Sequence, residues 1–146
     1  MRHCLLAFAL ALFGSPTLAQ ETAVEPGGPE GILTVELNKT EPVEGGGCRA
    51  YFLFRNGVDN SFEAFEMSLA VIDGDGVIDS LLAIDAAPLP VQRTTLKLFE
   101  IPELACDDIS EILLHDFTAC RLQNAEESDC FALVELASRA DAALVK

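Results

Sequence analysis

The sequence predicts an all-β fold, an antiparallel sandwich of about seven strands spanning residues 32–146. Three observations predict it. Apolar and polar residues alternate at period two in short runs, Gly, Pro, Asn and Asp separate the runs at fairly even spacing, and no long helical spacing of apolar residues precedes residue 131.

Each strand follows from its own pattern. Ile32 to Asn38 sets Leu33, Val35 and Leu37 on one face against Thr34, Glu36 and Asn38 on the other. The Gly45-Gly46-Gly47 break precedes Cys48 to Arg55, where Ala50, Phe52 and Phe54 share a face. Asn56 to Ser61 reads as a polar turn, after which Phe65, Met67, Leu69 and Val71 alternate with Glu66, Ser68 and Ala70. Asp73-Gly74-Asp75-Gly76 is a hairpin turn, with glycine available where positive φ is needed, and Val77 to Ile84 is the returning strand. Pro88-Leu89-Pro90 breaks regular pairing before the fifth strand, Thr94 to Ile101. Pro102 to Asp108 is a corner, Ile109 to His115 the sixth strand and Phe131 to Leu136 the seventh. In that last segment Leu133, Leu136, Ala140 and Leu144 also fit one face of a helix, so strand and short C-terminal helix both stand. Many short strands with frequent turns indicate an immunoglobulin-like layout.

The first 19 residues read as a secretory signal peptide: Arg2 and His3, an apolar run from Cys4 to Phe13, then Thr17-Leu18-Ala19 with cleavage after Ala19. Ten apolar residues (Cys4 to Phe13) are too few to span about 30 Å of hydrocarbon. Residues 20–31 are a Pro/Gly/Glu-rich flexible leader. The expected location is periplasmic or secreted, with no membrane span in the mature chain. Cys4 leaves with the signal, and the even set Cys48, Cys106, Cys120 and Cys130 reads as two disulfides in an exported domain. In an immunoglobulin-like sandwich the start of the second strand and the corner before the sixth lie at one end. The end of the sixth and the start of the seventh lie at the other. The expected pairs are therefore Cys48–Cys106 and Cys120–Cys130, each contributing about 2–4 kcal/mol.

The chain has 24 acidic residues against 9 Lys and Arg, a formal charge of −15. Loss of Arg2 with the signal leaves 24 against 8, or −16. Such a chain is a poor partner for nucleic acid or an anionic membrane surface. Asp73, Asp75 and Asp79 are the best metal-ligand candidates, since Ca²⁺ prefers oxygen ligands. Counted from Asp73, however, the fifth position is Val77 and the twelfth is Ile84 where a calcium loop has Glu, and a hairpin turn explains the run without a metal. Asp107, Asp108 and Glu111 form a second acidic group, read as a solvated corner. His115 is the only His after the signal, and neither a Gly-x-Ser-x-Gly elbow nor a Cys-x-x-Cys motif accompanies it. No cofactor and no catalytic residue are expected.

One feature points to a partner. On the second strand Tyr51 and Leu53 lie opposite the core face. If Leu96 and Leu98 face the core on the fifth strand, Phe99 turns outward and joins Tyr51 and Leu53 in an exposed apolar stripe bordered by Arg55 and Lys97. Either the C-terminal segment folds over that stripe or another protein does.

The stretches GGGCRAYFLFRN, FEAFEMSLAVIDGDGVID, APLPVQRTTLKLFEI and CDDISEILLHDFTAC resemble a group of small exported alphaproteobacterial proteins, from about Leu33 to Leu136. The layout more loosely resembles small bacterial immunoglobulin-like modules. Neither resemblance carries a catalytic motif, so neither transfers a site. The expected function is that of a non-enzymatic exported interaction or accessory module of the cell envelope, with another envelope protein as its partner. The alternative is a small-ligand or cation-binding periplasmic protein using the carboxylates of the Asp73–Asp79 hairpin or the Asp107–Glu111 corner.

Overall fold

The structure, a computed structural model, describes residues 28–126 and 128–146. The expected signal peptide, its cleavage after Ala19 and residues 20–27 of the leader lie outside the described residues. Among the described residues eight strands form two sheets: β1 (Leu33–Pro42), β2 (Cys48–Asn56), β3 (Phe62–Asp73), β4 (Ile78–Asp85), β5 (Arg93–Ile101), β6 (Ile109–Leu122), β7 (Val134–Ser138) and β8 (Ala143–Val145). The first sheet runs β5-β2-β1-β7 and the second β4-β3-β6-β8. The chain is an all-β sandwich.

The core lies where the alternating strands face each other. Leu33, Val35 and Leu37 of β1, Phe52 and Phe54 of β2, Phe65, Met67, Leu69 and Val71 of β3 and Ile112 and Leu114 of β6 are buried. Phenylalanines pack through the core: Phe99 on Phe52 at 5.9 Å between ring centroids within the first sheet, Phe54 on Phe65 at 6.1 Å across the two sheets, Phe65 on Phe117 at 5.3 Å within the second, and Phe117 on Phe131 at 4.8 Å. Three of these pairs are edge-to-face, an arrangement that adds about 0.5–1.5 kcal/mol beyond the area it buries. Both cysteine pairs are those expected, with Cα–Cα distances of 4.9 Å for Cys48–Cys106 and 6.1 Å for Cys120–Cys130.

Three expectations are corrected, and one open alternative is resolved. The sandwich is not wholly antiparallel, because β7 lies parallel to β1 and the extra strand β8 parallel to β6. Between β6 and β7, and again between β7 and β8, the chain crosses from one sheet to the other instead of turning back on itself. Second, β3 begins at Phe62 and β6 continues to Leu122, so Cys120 lies inside a strand. Bulges along the β3–β6 ladder let these two long strands stay paired.

The open alternative at the C-terminus resolves as a single helical turn followed by strand. Helix α1 (Cys130–Leu133) is capped by the Asp129 side chain, which accepts from the Ala132 amide, and it stops where β-branched Val134 extends. Val134 then lies opposite Leu33 and Leu136 opposite Val35. Third, the described end of the leader, residues 28–31, is held against the domain. The Gly31 amide donates to Gly57 O at 2.8 Å, and a Cβ on Gly57 would sit 1.9 Å from Pro29 O, so this close approach requires glycine.

Asn56 ties the open side together. It is fully buried, and its Nδ2 donates to the carbonyls of Asn60, Leu89 and Pro90 while its Oδ1 accepts from the Val58 amide. One side chain thus holds the end of β2, the following turn and the β4–β5 crossover.

Candidate functional site

The outer face of the first sheet is built from β1, β2 and β5. Tyr51 lies opposite Leu98 and Leu53 opposite Leu96, while Ala50 lies opposite Phe99. Pairing partners share a face, so the stripe on this sheet is Tyr51, Leu53, Leu96 and Leu98. Phe99 is the correction: it turns inward onto Phe52, and Ile101 beside it is buried. The cause is register. Cys48 is buried by its disulfide, its partner Ile101 therefore faces in, and alternation carries Phe99 in with it. Lys97 also points inward and extends to the Ala87 carbonyl at 3.3 Å. The C-terminal segment does not cover the stripe, since β7 occupies the opposite edge of this sheet.

The same face is electrostatically closed. Arg49 bridges Glu100 at 2.7 Å and Glu41 at 3.3 Å, Lys39 pairs with Glu41, and the Tyr51 hydroxyl donates to Glu41. Glu36, only 4% exposed, accepts from Arg55 at 2.9 Å and Asn38 at 2.7 Å and pairs with Arg139 at 3.3 Å. The Arg55 hydrogen bond holds the Glu36 carboxyl below the usual carboxylate range, with Asn38 and Arg139 adding to it against the cost of burial. The cluster clamps the segment after β7 onto β1 and β2.

The second sheet differs. Leu81, Ala70, Leu113 and Val145 form one row across all four strands, and Ile78 lies beside Ile72 in the next. Leu81 is 65% exposed, Ile78 57% and Val77 59%, against 51% for Leu96 and 48% for Leu98. The strands of this sheet hold seven Asp and Glu against Arg121 alone, a balance of −6. Those of the first sheet hold four against five Lys and Arg, a balance of +1. This row was not legible from alternation, because Ala70 reads as a small residue on a polar face until β4 and β6 place leucines on either side of it.

The acidic candidates sit at one end. Asp73 Oδ1 accepts from the amides of Asp75 and Val77 at 2.9 Å, a turn that uses the carboxylate on its own backbone. Asp73, Asp75 and Asp108 line one open concavity, so the hairpin and the corner do converge. Asp79 lies on β4 and Asp107 in the 3-10 turn Cys106–Asp108. Glu111 is on β6, opposite Ile72. Among the described residues no three His, Cys, Asp or Glu side chains come together to hold a metal ion. His115 Nε2 lies 2.7 Å from Ser68 Oγ on the exposed face of the second sheet, while Asp116 Oδ1 accepts from the Phe117 amide.

Comparison with known proteins bears on the fold. No family model matches the chain, and the search of curated proteins finds no match. Among solved structures the chain is similar to IrmA from Escherichia coli, with a TM-score of 0.55 and 14% identity over 72% of this chain and 90% of that one. At that identity the likeness shows the sandwich fold alone. Among the described residues no helix is long and apolar enough to cross a membrane.

Proposed function

We propose that this protein is a non-enzymatic, exported interaction module of the cell envelope that docks another envelope protein. The observation that carries the reading is the exposure of large apolar side chains on regular strands, with Leu81 on one sheet and Leu96 and Leu98 on the other. Scattered surface leucines need no explanation, but aligned ones on a small sandwich mark partner surfaces. Two disulfide pairs support an oxidising compartment. The function then lies in presentation: a rigid, cross-linked scaffold holds apolar rows at fixed spacing. Photo-crosslinking residues placed at Leu81 and at Leu98, in cells expressing the protein at native level, test the reading. A defined envelope protein attached at one position and not the other is the expected result. Absence of any adduct at both positions would remove the proposal.

A further inference from the structure

The four edges of the two sheets are not equally protected. Edge strands present unpaired backbone groups that template another strand, and proteins blunt them with short length, inward charges or cover. β7 and β8 are short, with 5 and 3 residues, and lie side by side at the closed edge of the sandwich. β5 carries the inward-pointing Lys97 at its centre, tied to the Ala87 carbonyl. β4, with 8 residues, is neither short nor marked by an inward charge, and its one irregularity is a bulge at Asp79 near its start: Leu81, Leu82 and Ala83 occupy its middle, and its charges are confined to Asp79 and Asp85 near the ends. On its outer face Leu81 covers the buried Ala70, and the half-buried Leu113 and Val145 continue the same row.

Resting on the interaction reading above, we infer that β4 is an acceptor for strand addition, and that its occupant is an extended, apolar segment of another protein flanked by Lys or Arg. Main-chain hydrogen bonds along β4 supply affinity, and side chains of the added strand beside Ile78 and Leu81 supply apolar contact. Charge selects the flanks. Glu66 lies opposite Asp85 on the adjoining strand, Asp73 and Asp75 close the hairpin, and β3 and β4 contain no cation. A second copy of this chain would bring the same carboxylates against them, so like-charge repulsion disfavours self-pairing while a basic-flanked segment gains at each end. The face of the first sheet lacks this bias because its carboxylates already hold Arg49, Arg55 and Lys39.

The test uses the full mature protein and two synthetic peptides that share an alternating Val/Thr centre, one flanked by lysines and the other by glutamates. Amide NMR titration is the readout. The lysine peptide should shift and protect amides of β4, and raising NaCl from about 0.05 to 0.5 M should weaken it about five-fold. Leu81→Lys should abolish this binding, and Leu98→Lys should leave it unchanged; both positions are exposed, so both variants should fold. Equal binding of the glutamate peptide, indifference to Leu81→Lys, or shifts confined to β2 and β5 would overturn the inference. Dimerisation of the protein alone that Leu81→Lys prevents would also overturn it, by making a second copy the occupant. If crosslinks form at Leu98 while neither peptide engages β4, strand addition fails and the interaction reading stands. If the lysine peptide binds β4 but no envelope adduct forms, the acceptor stands and the envelope role fails.

Discussion

Replacing Asn56 should be among the most costly single changes in the protein, and its size follows from counting bonds. The side chain is fully buried; it accepts one amide at 2.9 Å, and its two N–H protons serve three carbonyls at 3.0–3.2 Å. Asn56→Ala removes at least three hydrogen bonds at about 1 kcal/mol each, about 3 kcal/mol in all. In urea, with an m-value of about 2 kcal/mol/M, the midpoint should fall by about 1.5 M at unchanged slope. Asn56→Asp should be worse at pH 7, because a carboxylate oxygen replaces the amine among three carbonyl oxygens. If burial raises the folded-state pKa of that new carboxyl by about two units above 3.9, about 2.7 kcal/mol more is lost. This extra penalty grows as pH rises through the unfolded value and is complete above the raised folded one. Acidification from pH 7 towards about 4 should therefore close the gap between Asn56→Asp and Asn56→Ala. A constant gap, or an Asn56→Asp variant as stable as wild type at pH 7, would refute the account of this side chain as the tie between β2 and the β4–β5 crossover.

The remaining predictions concern facing, the disulfides and the buried glutamate. Phe99→Ala should cost about 3 kcal/mol in denaturant unfolding, whereas Leu98→Ala should stay within about 0.5 kcal/mol, since only Phe99 packs on Phe52. Replacing Cys48 and Cys106 by Ala should lower stability by about 4 kcal/mol and replacing Cys120 and Cys130 by about 3, because the first pair closes 58 residues and the second 10; equal losses by calorimetry would count against loop closure as the main term. Glu36→Gln should cost about 2 kcal/mol at pH 7, by loss of the charge-assisted bond from Arg55. Because the Glu36 carboxyl is held below its ordinary value, that contribution is present above about pH 4.5 and disappears as pH falls through the lowered folded value, so wild type and Glu36→Gln should converge in acid unfolding.

Legibility along the chain tracks how unequal the two faces of a strand are. In β1, β2 and the core of β3 every second residue is large and apolar and its neighbours are mostly polar, so facing and pairing follow from alternation alone. The cysteine pairing followed from a further step, the immunoglobulin-like layout that sets which strand ends meet. β5 defeats the same method: Leu96 and Leu98 lie on one parity and Phe99 and Ile101 on the other, so the residue pattern is balanced. The tie is broken by a long-range fact, the buried disulfide at Cys48 that pulls its partner Ile101 inward. The C-terminal segment is balanced between helix and strand for a similar reason, and it resolves because β1 offers Leu33 and Val35 an unfilled edge for Val134 and Leu136 to complete.

The strands that local patterning cannot orient are also the ones that carry exposed apolar residues. β4 has Ile78 and Leu81 outward with Leu82 and Ile84 inward, and β5 has Leu96 and Leu98 outward with Phe99 and Ile101 inward. Apolar side chains on both faces are what a strand needs when one face meets its own core and the other meets something else. The balance of −15 over the whole chain hid a second distinction of the same kind, because among the strands the net negative charge falls on one sheet, −6 against +1. β5 has its inward lysine and a face neutralised by its neighbours' ion pairs; β4 has neither. Exposure alone therefore does not rank the two edges, but exposure together with carboxylates that no cation among the described residues pairs does. It selects β4, and it specifies a cationic flank on whatever strand that edge receives.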